Sequence, residues 1–516
     1  MPAFGMKTTT QDALTASRRF TVIGAALLAL FLGALDALVI SAAMPTVVAD
    51  LGGMHLYSWV YSAYFLARAV SLPIFGKLAD LRPNRTIFLG AVTIFLISSV
   101  VAGLAPNMAF LIAARVFQGI GAGGIFTLVY VVLVDVSTPE ARGRTLSFAS
   151  SVWGIASVLG PTLGGFIVTY FSWRWIFFIN VPLGLFSLWG IGVYLVEMRP
   201  KKDRVTLDFG GVALLTTSLL AFLLIFLLGG RQYPWLSLPM AGLVLFTLCG
   251  FIGFVFVEKG AKDPVLSIEF FTNRAFSTGN GAVFLSSFAI FALFAFAPLF
   301  IQGVQGQSPM QVGMAMLSLS LGWSVGALLM GQVIDRMGFR ICAVSGALCL
   351  IFGCIMTLLF NARTSPLFGF TIFFIIGVGM GMVSLSTLLV VQNGLEAKDM
   401  GVATSSNQFG RTLGGAVGVG VCGGFIANRF DELTKAVQQS GMVNRLPQSL
   451  SEKGLEQMEQ LFQPEIQALL PPELKMMVHD AVSRGIREVF WTVVIAAILC
   501  LFVTLLIPSD SRGAKR

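Results

Sequence analysis

This chain carries little charge. Only 11% of its 516 residues are Asp, Glu, Lys or Arg, against about 25% in soluble domains, and 56% are hydrophobic. That balance removes the three or so soluble domains that length alone would suggest. Histidine is nearly missing: His55 and His479 lie far apart in polar connections, so a zinc centre has no support. The six cysteines (Cys249, Cys342, Cys349, Cys354, Cys422 and Cys500) lie within or at the ends of apolar runs. None forms a CxxC pair, which argues against both disulfides and metal ligation. The sequence has no G-x-x-x-x-G-K-[ST] loop for ATP phosphates and no visible nucleophile–base pair. Neither an enzyme nor a bound cofactor is expected. Nor is a cleavable signal peptide, because the N-terminus is polar and the first apolar run exceeds an h-region.

What the chain has instead is apolar length. Fourteen runs suit membrane-spanning helices: 20–44, 57–78, 86–105, 108–134, 145–170, 175–197, 207–228, 238–258, 276–302, 310–334, 341–360, 366–391, 402–427 and 487–507. The spacing predicts an all-α polytopic membrane protein with both ends on one side. Lys and Arg assign that side: 21 lie in segments facing it, and 3 (Arg174, Arg231, Arg363) in the opposite short loops. Basic residues accumulate in cytoplasmic loops, so both termini are expected in the cytoplasm of a bacterial-type inner membrane. The formal net charge of +9 is then a topology signal. No nucleic-acid partner is expected.

The chain repeats itself. Gly76-Lys-Leu-Ala-Asp80 closes the second span, and Gly331-Gln-Val-Ile-Asp335-Arg336-Met-Gly338 closes the tenth, 255 residues later. A parallel duplication of this kind predicts two six-helix bundles, 20–197 and 276–507. An inserted pair of spans, within 198–275, joins them; residues 1–19 and 508–516 are the cytoplasmic tails. Within 198–275, the stretch 259–275 reads as a short amphipathic segment. Residues 428–486 mix charged and apolar residues at helical spacing, as in LTKAVQQ and LEQMEQLF. They read as a solvated helical loop at the outer mouth. A docking surface there for a periplasmic or extracellular partner stays open.

One acid lies deep in the apolar runs. The first, FTVIGAALLALFLGALDALVI (Phe20–Ile40), contains Asp36 as its single charge. A carboxylate at a span centre costs about 2.5–3.5 kcal/mol on insertion scales, so it needs a partner and marks a functional position. Counting residues puts Asp36 roughly 14 Å below its helix end, Arg68 roughly 16 Å and Arg115 roughly 10 Å, all in the first bundle. A permanent salt bridge tying three helices is one reading. The other is a proton-exchanging carboxylate: burial favours its neutral form and a neighbouring cation its charged form, so the two effects offset. Arg411 adds a third deep cation in the second bundle. Three deep cations against one deep acid favour neutral, zwitterionic or anionic cargo.

Asp36 and Pro45 sit in LGALDALVISAAMPTVVADLG, which resembles the first-helix signature of the fourteen-span drug:proton antiporters of the major facilitator superfamily. The stretches Arg115-Val-Phe-Gln118-Gly119-Ile-Gly121-Ala-Gly123 and Gly154-Ile-Ala-Ser-Val-Leu-Gly160-Pro161-Thr-Leu-Gly164-Gly165 resemble the fourth- and fifth-helix motifs. Trp173-Arg174-Trp175-Ile-Phe-Phe-Ile-Asn180-Val-Pro182-Leu-Gly184, DPVLSIEFFTNRAF and Asn407-Gln-Phe-Gly-Arg411-Thr-Leu-Gly are similar to further family segments. The loop after span two departs from the pattern, with Leu81, Pro83 and Asn84 where the family has Arg, Gly and Arg; Gly76, Asp80 and Arg85 remain. The resemblance implies the major facilitator fold, alternating access and proton-coupled export of small amphipathic compounds. In that reading the proton is the coupling ion and Asp36, Arg68 and Arg115 handle it. Gly76, Asp80, Arg85, Asp335 and Arg336 are conformational motifs. Gly160, Pro161, Gly164 and Gly165 are either a packing seam or a seal between halves.

Candidates for the cavity lining are polar or aromatic residues in apolar helices: Tyr61, Tyr64, Trp153, Gln302, Gln305, Trp323, Asn393, Asn407, Gln408 and Arg411. Each could equally serve ordinary packing or contact with membrane lipid. Two other functions stay open: a dedicated exporter or flippase of an anionic or zwitterionic lipid or metabolite, and a non-transporting receptor or scaffold.

Overall fold

A backbone in hydrocarbon must satisfy its own hydrogen bonds, and a helix does so within one segment. The computed structural model describes residues 16–137, 142–196, 208–229, 233–261, 268–396, 400–439 and 472–509. Its α-helices are α1 (Ala16–Leu51), α2 (Tyr57–Leu81), α3 (Asn84–Gly103), α4 (Met108–Asp135), α5 (Arg142–Tyr170), α6 (Trp175–Phe178), α7 (Asn180–Tyr194) and α8 (Phe209–Leu228). They continue as α9 (Leu238–Gly260), α10 (Arg274–Gly303), α11 (Pro309–Met337), α12 (Phe339–Thr357), α13 (Pro366–Asn393), α14 (Met400–Gln439) and α15 (Pro472–Leu505). Among the described residues, 12 helices are long and apolar enough to cross a membrane, α6 and α7 together counting as one. With α2 and α8 they make the fourteen expected spans.

The helix ends follow local chemistry. Asn107 caps α4 by accepting from the Phe110 amide at 2.9 Å. Ser308 and Gln311 form a capping box at α11, behind which Pro309 opens the helix. The α1–α2 turn runs through Gly52 and Gly53 at φ 71° and 77°, and Gly338 at φ 85° separates α11 from α12. A side chain at those angles would be strained.

In the first half, α2 packs on α4, α3 on α4, and α1 on α5 and α7; in the second, α11 packs on α13, α12 on α13, and α10 on α14 and α15. The halves meet along α5–α11 and α2–α14, and the α8–α9 pair lies beside α14 and α2. We call the side carrying Ala16 and Leu505 the near face, and the other the far face.

The last two helices overrun their expected spans. The 40 residues of α14 reach about 60 Å at 1.5 Å per residue, twice a bilayer core. Leu433 and Val437 on α14, and Leu474, Val478 and Val482 on α15, are buried, which explains the overrun: the two helices keep an apolar stripe. Arg429 pairs with Glu432 at 2.6 Å and also with Glu488 across the seam. Residues 440–471 of the expected outer segment lie outside the described residues.

Candidate functional site

Asp36 sits on α1 with 1% of its side chain exposed. Arg115 Nη1 donates to its Oδ2 at 2.6 Å. Gln118 Nε2 donates to Oδ1 at 2.7 Å, and Asn180 Nδ2 does so at 3.2 Å. Arg115 and Gln118 are three residues apart on α4, so they share one face; Arg115 Nη1 also reaches Gln118 Oε1 at 2.8 Å. Ser99 of α3 accepts from both amides, at 2.7 and 3.1 Å. Both carboxylate oxygens are therefore met by donors, one of them charged. Composition gave Asp36 and Arg115, while Gln118, Asn180 and Ser99 went unnamed as its partners. Neutral polar residues are common in spans and signal nothing alone; the signal available was that Gln118 and Asn180 both fall inside quoted motifs.

Arg68 is placed differently from the expectation. It does not pair with Asp36: its Nη2 donates to Thr412 Oγ1 on α14 at 3.0 Å. Its guanidinium lies over the Phe126 ring at 4.3 Å. The reason lies on α2: Tyr64, one turn earlier, fills the side facing Asp36, its ring 4.0 Å below the Arg115 guanidinium. Arg411, beside Thr412 in sequence, donates to Ser384 and lies 5.7 Å from the Trp323 ring.

The other lining candidates scatter. Tyr64 belongs to the Asp36 network, with its hydroxyl donating to Gly33 O at 3.4 Å. Tyr61 is buried 6.0 Å from the Tyr57 ring. Trp153 lies 5.4 Å from Phe126 and faces the Arg68 region. Asn407, Gln408 and Gln302 are buried in the second half. Gln305 sits on the far rim, donating to Asn361 O, and Asn393 is exposed at the near end of α13. Those last two are remote from the centre, because each stands at the end of its helix.

The α5 glycines divide by face. A Cβ on Gly160 would come within 2.8 Å of Leu38, and one on Gly164 would strike the Val39 carbonyl, both on α1 of the same half. On Gly165 it would meet Pro309 O at 2.7 Å, across the boundary on α11. Pro161 O lies 2.6 Å from where a Gly313 Cβ would stand. Gly160 and Gly164 thus form a seam within one half, whereas Gly165 and Pro161 lie on the contact between halves. Packing within one half and contact between halves thus fall to different residues of the motif.

The Major Facilitator Superfamily model matches residues 26–419. The chain belongs to this superfamily. It is 32% identical over 509 residues to multidrug resistance protein 3 of Bacillus subtilis, with 98% of each chain covered. To the multidrug transporter protein MdtP of that organism it is 31% identical, covering 94% of this chain and 93% of the relative. The efflux pump FUS6 of Gibberella moniliformis is 32% identical, with 97% and 90% covered. Among solved structures, a bacterial homologue of the human lysosomal transporter Spinster, inward-facing and unoccupied, aligns at TM-score 0.66 and 15% identity, covering 96% and 98%. The chain is a superfamily member of multidrug-efflux type.

At the near face the first motif loop of this superfamily member ties its own half together. Asn84 Nδ2 donates to Asp135 Oδ2 at 3.1 Å, so a residue that departs from the family pattern ties α3 to the end of α4. Arg85 donates to the Gly192 carbonyl, and Arg336 is exposed. Gly76 has only Thr127 near it, at 3.8 Å from a Cβ. The side chains of Asp80 and Asp335 lie outside the described residues. Contacts between halves gather toward the far face instead. Tyr57 donates to Ala295 O at 2.5 Å and Ser62 to Ala416 O at 3.3 Å. A Cβ on Gly423 would strike Ser58. There the described residues of the two halves touch.

Proposed function

We propose that this protein is a proton-coupled exporter of amphipathic compounds, working by alternating access in a bacterial cytoplasmic membrane with both termini in the cytoplasm. The excess of basic residues makes the near face cytoplasmic, so the form described is closed toward the outside. The names of the multidrug relatives support export of more than one compound.

The observation that carries the reading is Asp36. An ionised carboxylate only accepts hydrogen bonds, and donors meet both of its oxygens here. That suits the state after the proton has left for the cytoplasm. Arg115 rests on Tyr64, and Arg68, one turn along α2, grips Thr412 of the other half. Protonation of Asp36 loosens Arg115 and, through α2, the grip between the halves.

Asp36→Asn should abolish uptake of amphipathic dyes driven by a pH gradient in everted vesicles. Because it leaves Arg115 without a counter-charge, stability falls by about 3–5 kcal/mol, and Asp36→Asn/Arg115→Gln recovers most of that. Gradient-driven uptake at the wild-type rate in Asp36→Asn refutes proton coupling through this residue.

A further inference from the structure

We infer that Arg68 and Arg411 form the binding site for a negatively charged group on the exported compound. The site takes amphipathic anions whose aromatic or apolar body lies between the two halves. This rests on the exporter reading and narrows its substrate class.

Three observations converge. First, both guanidiniums are buried, with Arg68 at 1% and Arg411 at 7% exposure, and neither forms an ion pair among the described residues. Each gives a hydrogen bond to a neutral hydroxyl, Thr412 or Ser384, and Arg68 also has the neutral Tyr64 hydroxyl beside it. A guanidinium offers five N–H donors, and here Arg68 Nε and Nη1 and Arg411 Nε have no acceptor. Buried charge in this condition is costly unless an anion completes it.

Second, the two cations share one locus. Arg68 bonds the residue next to Arg411 in the chain, and each lies within electrostatic range of the other and of Tyr130. Like charges held together without an acid favour a negative ligand over a positive one. Asp36 lies within electrostatic range of Arg68 but bonds to Arg115 instead, so neither Arg68 nor Arg411 has an acid bonded to it.

Third, the walls are aromatic and their free polar atom is again a donor. Phe126 lies under Arg68 and Trp323 near Arg411. The Trp153 indole, 5.4 Å from Phe126, has its Nε1 buried with no partner. Helices α2, α4 and α5 come from one half, α11 and α14 from the other, so rocking opens and remakes the site. A carboxylate or sulfonate matches the guanidinium forks, and a flat apolar body matches the rings.

The test compares two bicyclic aromatics of opposite permanent charge, naphthalene-2-sulfonate and N-methylquinolinium. Equilibrium binding is measured on the full chain in detergent, with no pH gradient. The expected result is sulfonate binding at least about tenfold tighter than quinolinium, falling about tenfold or more in Arg411→Gln and in Arg68→Gln. Lysine at either position restores part of the loss, since it keeps the charge without the fork. The unliganded Arg411→Gln variant should melt at or above the wild-type temperature, because it removes an unpaired buried charge. A purely structural role predicts a clear drop.

Competition by phosphatidylglycerol in mixed micelles separates a lipid phosphate from a soluble anion, and either competitor supports the site. Quinolinium binding as tight as sulfonate, or sulfonate binding unchanged in both glutamine variants, overturns it. Transport then separates the two readings. Gradient-driven uptake of quinolinium that Asp36→Asn abolishes leaves the exporter standing while the anion site falls. Sulfonate binding lost in the glutamine variants, without gradient-driven uptake of either probe, does the reverse.

Discussion

Under the proposed alternating access, Gly165 offers a direct handle on the equilibrium between the two faces. A Cβ there would lie 2.7 Å from Pro309 O and 3.2 Å from the Met310 and Gly313 Cα atoms. Carbon–oxygen contacts settle at about 3.3–3.6 Å, so α5 and α11 must part by about 0.6–0.9 Å. The obstacles are backbone atoms, which cannot swing aside as a side-chain tip does. Overpacking of this kind costs about 1–3 kcal/mol, and only in the form closed at the far face. Gly165→Ala should therefore shift the balance toward the far-open form by about 5–150-fold. The assay is the distance between spin labels at Ser172 and Arg363, both exposed on the far face, in a background without the six native cysteines. A longer-distance population should grow, and export should slow as the closed state becomes harder to regain. An unchanged distance distribution together with a lowered melting temperature would refute the reasoning, because it would make Gly165 an internal packing residue.

The neighbouring glycine should behave in the opposite manner. Gly164→Ala meets the Val39 carbonyl of its own half, so it should cost about 1–3 kcal/mol of thermal stability and leave the label distances unchanged. Gln118→Met removes a buried donor to Asp36 and an acceptor for Arg115; we expect about 1–3 kcal/mol lost on thermal denaturation and slower gradient-driven uptake. Asp50 accepts from Trp173 at 2.8 Å and Arg174 at 2.9 Å on the far rim, but with 49% of its side chain exposed. Asp50→Asn should therefore change stability by no more than about 1 kcal/mol, and less in high salt.

The spans were legible because lipid demands long apolar runs, and Asp36 was legible because it interrupts one. Arg115 was readable for the same reason, and helix counting placed it at the right depth. Arg68 illustrates where this stops. Depth along a helix says nothing of direction around it, and its partner Thr412 lies 344 residues away. The same holds for Gly164 and Gly165, adjacent in sequence and 100° apart on the helix, which face different halves of the molecule. Beyond the last two spans the helical spacing, as in LTKAVQQ, was legible, but it read as a solvated loop rather than as two helices packed on each other. Their apolar stripe continues past the membrane, where each helix is covered by the other rather than by lipid.

That paired extension has a mechanical consequence. Beyond residue 427, α14 continues for about 18 Å, and it is bound to α15 by Arg429 and Glu488 as well as by buried side chains. Among the described residues this extension is tied to α15 of the same half, so any tilt of that half is magnified along it. A reporter attached there would sweep a wider arc than one at the pore. With the near face cytoplasmic, as proposed, such a mast would make the tilting of a single molecule visible from the opposite side of the membrane.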